Sequence, residues 1–81
     1  MSTNTFHLII ASVGETKFDG AALSATLPGS AGEFTVLAHH EPILTTLKEG
    51  TITVRESLGN KTFTIQGGII EMSGNRAVVL L

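Results

Sequence analysis

The chain has 81 residues, no cysteine, and a formal charge of -2 from five basic and seven acidic side chains. That length suits one domain with a small core, and without cysteine neither a disulfide framework nor a thiolate metal site can hold it together. No Lys/Arg cluster supplies the footprint that phosphate-backbone binding needs, so nucleic acid is not the expected partner, and no apolar run approaches the ~20 residues of a membrane-spanning helix.

The opening "MSTNTFHLII" has neither the basic n-region nor the small-residue cleavage site of a secretory signal. From Phe6 onward the apolar residues alternate rather than recur at helical spacing. Phe6, Leu8 and Ile10 share one side of a strand, with His7 and Ile9 opposite. Leu23, Ala25 and Leu27 repeat the pattern, followed by Phe34 and Val36. In "TITVRES", Ile52 and Val54 face away from Thr51, Thr53 and Arg55; "KTFTIQ" does the same with Phe63 and Ile65 inward. "RAVVLL" runs as a strand to the final residue. Twenty-three residues are Thr, Ile or Val, the β-branched types that fit a pleated surface. Breaks are expected at Gly14, Asp19-Gly20, Pro28-Gly29, Glu49-Gly50, Gly59-Asn60, Gly67-Gly68 and Gly74-Asn75. Intervals this short leave no room for parallel crossovers. The expected fold is therefore all-β: an antiparallel β-sandwich, or flattened barrel, of about ten short strands, with residues 1–81 as a single domain.

Candidate chemistry concentrates in "LPGSAGEFTVLAHHEPILT", residues 27–45. If His39 and His40 are extended they point to opposite faces and cannot share a metal, and a third ligand would have to be His7 or a Glu. No metal is expected. Asp19 is the only aspartate, and Ser12, Ser24, Ser30, Ser57 and Ser73 sit in no nucleophile-elbow context. Glu33 and Glu41 flank an apolar strand without a marked partner, which is a poor acid/base pair. "GSAGEF" lacks the Lys-Ser/Thr and the following helix of a phosphate loop. No catalytic residue is expected. One other site stands out: Lys61, expected at the tip of the hairpin "SLGNKTF", where lipoyl- or biotinyl-carrier domains present their modified lysine. Its neighbours are Asn60 and Thr62 rather than the Asp-Lys-Ala or Met-Lys-Met of such modules.

The same stretch resembles the amino-terminal domain of the epsilon subunit of the rotary ATP synthase. That family reads Leu-Pro-Gly, two variable residues, Gly-Glu, then Val-Leu-Pro-Gly-His-Ala-Pro-Leu-Leu-Thr. Leu27, Pro28, Gly29, Gly32, Glu33, Val36, Leu37, His40, Pro42, Leu44 and Thr45 match in order. "LKEG" at 47–50 and "IQGGIIEMSGNRAVVLL" extend the resemblance over nearly the whole chain. Ala38 and His39 stand where the family has Pro-Gly, and Glu41 replaces a small residue.

The resemblance implies a ten-stranded β-sandwich that binds the gamma subunit and rests on the polar loops of the membrane c-ring. It would turn with them in the central stalk, without cofactor or catalysis of its own. Glu33, Phe34, His39, His40, Glu41 and Pro42 are then the expected partner-binding residues. The lesser alternative, from the residues alone, is that they are polar turn elements. The implied location is peripheral, on the cytoplasmic face of the bacterial inner membrane, with no membrane insertion. The family's carboxy-terminal helical hairpin has no counterpart in these residues, so a rotor domain without that hairpin's inhibition of ATP hydrolysis is expected. The alternative is a carrier domain modified on Lys61.

Overall fold

In the computed structural model, which describes residues 4–81, nine strands follow one another. They are β1 (Phe6–Ser12), β2 (Glu15–Ala22), β3 (Ser24–Gly29), β4 (Gly32–Leu37), β5 (Ile43–Leu47), β6 (Gly50–Glu56), β7 (Gly59–Ile65), β8 (Gly68–Ser73) and β9 (Arg76–Leu80). The first three residues of the segment read for a signal lie outside the described residues.

The strands form one curled sheet in the order β2-β1-β9-β8-β5-β3-β6-β7, with β4 on the free side of β3. A single bridge, Gly29 with Leu47, joins β3 to β5. At that narrow joint the sheet folds over, and β2-β1-β9-β8-β5 faces β4-β3-β6-β7 as the two layers of a sandwich. The alternation explains what lies between them. Phe6, Leu8 and Ile10 of β1, Ile52 and Val54 of β6, and Ile70, Met72 and Val79 of β8 and β9 are all but fully buried. Every side-chain polar atom buried among the described residues has a partner.

The structure departs from the sequence reading in four places. β1 and β9 run parallel, His7 beside Arg76 through Ala11 beside Leu80. Short turns exclude parallel pairing of consecutive strands, but these are the first and last, and the whole domain is their crossover. β2 continues through Asp19 and Gly20, both paired with β1. Pro28 and Gly29 close β3 instead of turning, which a proline allows because the ladder to β6 ends at Thr26. Gly59 and Asn60 already belong to β7, so the tip of that hairpin is Ser57-Leu58.

Gly29 is required by close approach. A Cβ there would stand 2.6 Å from the Gly32 carbonyl oxygen and 2.8 Å from Cε1 of Phe34. The Phe34 ring thus lies across the glycine and locks the β3–β4 hairpin. Gly29→Ala should destabilise the domain by about 1–3 kcal/mol, the usual cost of overpacking. A thermal melt superimposable on that of the wild type would show that ring and turn can move aside.

Candidate functional site

The six predicted partner-binding residues fall into two groups at opposite ends of β4. Glu33 and Phe34 lie at its start, where Glu33 pairs with Pro28 and Phe34 with Leu27. Glu33 is exposed, whereas Phe34 is only partly so. His39, His40, Glu41 and Pro42 lie beyond its other end, in the loop to β5. That loop is not extended, because His39 adopts φ +61°. His40 is half-buried, donates its backbone N–H to the Leu37 carbonyl at 3.2 Å, and has Nδ1 2.7 Å from the Glu41 carbonyl.

β5 connects the two groups. It leaves the His39–Pro42 loop and ends beside the β3–β4 turn, where Ser30 Oγ lies 2.8 Å from Thr46 Oγ1. Lys48 donates its backbone N–H to the Pro28 carbonyl at 2.9 Å. An open pocket of about 250 Å3 at the loop end is lined by Pro42, Ile43, Leu44, Glu71, Met72 and Ser73.

Between those ends the register aligns an apolar band on the outward face, which the sequence reading missed. One cross-strand row is Leu44, Glu71, Val78, Ile9 and Asp19; the next is Thr46, Ile69, Leu80 and Ala11. Leu44, Leu80 and Ile69 retain 69%, 54% and 37% of their exposure. Asp19, Arg76 and His7 rim the band, with His7 Nε2 2.5 Å from Asp19 Oδ1, and the exposed Glu71 interrupts it between Leu44 and Val78. The signal was present in "LIIA", "GII" and "AVVLL", which do not alternate but are apolar on both sides. Strands of that kind are covered on both faces.

The other layer is mainly polar outside, apart from the exposed Leu37 at the end of β4. Thr35, Thr26, Thr53 and Thr62 form one row across β4, β3, β6 and β7, and Thr51 lies opposite Thr64. Thr26 and Thr35 hydroxyls are 2.9 Å apart, the kind of cross-strand pair that stabilises a water-facing sheet.

Lys61 is not at a hairpin tip. It lies inside β7 opposite Val54, with Nζ 3.6 Å from Glu56 and 5.4 Å from the Phe18 ring centroid. Carrier attachment needs a lysine held out on a turn, and this one is folded back along its hairpin. Among the described residues no group of three His, Cys, Asp or Glu could hold a metal ion, and no helix is long and apolar enough to cross a membrane.

The class this geometry defines is a small β-sandwich with one apolar and one threonine-rich exterior. The family described as "ATP synthase, Delta/Epsilon chain, beta-sandwich domain" matches residues 5–81, and the chain belongs to it. It is 39% identical to the ATP synthase epsilon chain of Chlorobium limicola, over 98% of this chain and 91% of that one. The Caulobacter vibrioides epsilon chain is 35% identical over 91% of this chain and 86% of its own. With that of Delftia acidovorans the identity is 35% over 95% of this chain, which spans only 56% of that relative. The fold is also that of a chain in the Euglena gracilis mitochondrial ATP synthase, OSCP/F1/c-ring in rotational state 1, with a TM-score of 0.89 at 21% identity, covering 95% of this chain and 50% of that one. A chain in the central stalk/c-ring of the Tetrahymena thermophila mitochondrial ATP synthase gives 0.77 at 14%, covering 99% and 65%.

Proposed function

We propose that these 81 residues act as one non-catalytic rotor domain of the ATP synthase, joining the gamma subunit to the c-ring so that ion flow turns the stalk. The observation that carries this reading is the apolar band on the outward face of β5, β8, β9 and β1. An exterior that leaves Leu44, Ile69 and Leu80 in water on one face is of the kind that docks a partner. Gamma lies along this band and the His39–Pro42 loop. Glu33 and Phe34, at the far end of β4, meet the polar c-ring loops. The domain stays peripheral, on the cytoplasmic side of the membrane, and neither inserts nor binds a cofactor.

Reconstitution with gamma and the c-ring tests it. Glu33→Ala should move the melting temperature of the free domain by little, since an exposed charge contributes about 0–1 kcal/mol to folding, and His40→Ala by somewhat more, because its half-buried ring bonds the Glu41 carbonyl. Both should weaken assembly. The Glu33 defect should shrink as salt rises, because screening already removes its contribution to steering. Early melting with normal assembly would make them structural turn elements. Failure of the wild type to assemble would sink the rotor reading itself.

A further inference from the structure

Asn75 connects the β8–β9 turn to the loop assigned to gamma. It adopts φ +63° after Gly74 at +56°, forming the two-residue hairpin between Ser73 and Arg76. Glycine would satisfy that backbone as well, so the side chain needs its own explanation. Asn75 Oδ1 accepts the backbone N–H of His39 at 2.7 Å, and Nδ2 donates to the Thr5 carbonyl at 2.8 Å. Its carbonyl also accepts the His7 N–H at 3.2 Å. One residue therefore ties together the β8–β9 turn, the entry to β1 and the β4–β5 loop.

That third tie falls on a second non-glycine residue with positive φ. His39 occupies the left-handed region, where a non-glycine residue needs support from its surroundings. The other hydrogen bonds of the loop are local: His40 N–H to Leu37, and His40 Nδ1 with Glu41. Among the described residues, the hydrogen bond that reaches the loop from another element is that of Asn75.

We infer that Asn75 is a positioning residue: its carboxamide presets the His39–Pro42 loop in the shape that receives the partner subunit. This rests on the docking role proposed above. A loop already held in its bound conformation loses less freedom on association, so the carboxamide acts on affinity without touching the partner.

Two variants separate this role from simple turn stability. Asn75→Gly keeps the left-handed backbone and removes both side-chain bonds. Asn75→Asp keeps an acceptor for His39 N–H, loses the donation to Thr5 and sets a charged oxygen against the Thr5 carbonyl. Three quantities are measured on the whole chain: hydrogen exchange of the His39 amide, the Kd for the gamma subunit, and the Tm. Asn75→Gly should speed His39 exchange and raise Kd roughly threefold to tenfold, the worth of one hydrogen bond. Asn75→Asp should restore slow exchange and near wild-type Kd even where its Tm falls with that of the glycine variant. Equal loss of affinity in both variants, or unchanged exchange and Kd in Asn75→Gly, would overturn the assignment. If the wild type does not bind gamma, the docking reading fails, and with it the role toward that partner; His39 exchange still reports whether the carboxamide holds the loop.

Discussion

Phe6→Ala is expected to cost about 3–5 kcal/mol, the usual range for a buried phenylalanine, and to lower the melting temperature by on the order of 15–30 °C in a domain of this size. Phe6 keeps only 2% of its exposure and starts an interior strand of its layer, with β2 on one side and β9 on the other. With no disulfide to fall back on, the whole domain has roughly 5–10 kcal/mol of stability to lose. The variant should therefore be partly unfolded near physiological temperature. Phe63 provides the contrast. Its alternation suggested the same burial, but it remains half-covered at the edge of β7, against the Phe18 ring at 6.1 Å and 68°. Phe63→Ala should cost roughly half as much, in proportion to the area it hides. Circular-dichroism melts of both variants decide the matter. Equal losses would mean that the open edge of the sandwich is as tightly packed as its middle.

The pair also shows what a period-two pattern can and cannot reveal. Alternation states which side of a strand is inward, and for Phe6, Leu8, Ile10, Ile52 and Val54 the structure agrees. It does not say whether a neighbouring strand covers that side, which depends on the order of strands in the sheet. Phe63 is inward on an edge; Phe6 is inward in the middle. The parallel pairing of β1 with β9 was hidden for the same reason. Local turn chemistry speaks only of strands adjacent in sequence. Proline and glycine misled where they served packing rather than reversal, as at Pro28-Gly29, where the missing side chain makes room for the Phe34 ring.

The candidate site was legible as a list and not as a surface. The resemblance singles out Glu33, Phe34 and the His39–Pro42 loop within one short stretch, yet β4 carries them to opposite ends of the layer edge. The apolar band beside them comes largely from β1, β8 and β9, more than twenty residues away along the chain. Asn75 was equally hidden: in sequence it reads as a turn residue, and its 2.7 Å contact with His39 exists only because β8 and β5 are neighbours. A residue that serves both as a turn and as a tether carries one sequence signal for two roles.

The largest effect on assembly should come from that apolar band. Leu44→Lys and Leu80→Lys each place an ammonium on the outward face, where the free domain can tolerate it. Leu44 is exposed and lies directly opposite Glu71, so the new cation gains an opposite charge there; Leu80 is half-exposed between Ile69 and Ala11. Melting temperatures of the free variants should stay near that of the wild type. In the complex, each ammonium would have to be buried against apolar groups or keep water in the contact. The Kd for gamma should rise about thirtyfold or more, the loss expected at the centre of an interface. Raising the salt should not restore it, unlike the Glu33 defect, because the cost is desolvation and packing rather than screened attraction. Thr53→Lys is the control. It puts the same charge on the threonine-rich exterior, between Thr26 and Thr62. A typical partner covers about 800 Å2 per side, roughly a sixth of the 4886 Å2 this chain exposes, so one exterior face is enough and the other can stay in water. Thr53→Lys should bind as the wild type does. If it weakens binding as much as Leu44→Lys and Leu80→Lys do, gamma does not distinguish the two faces and the apolar band is not its seat.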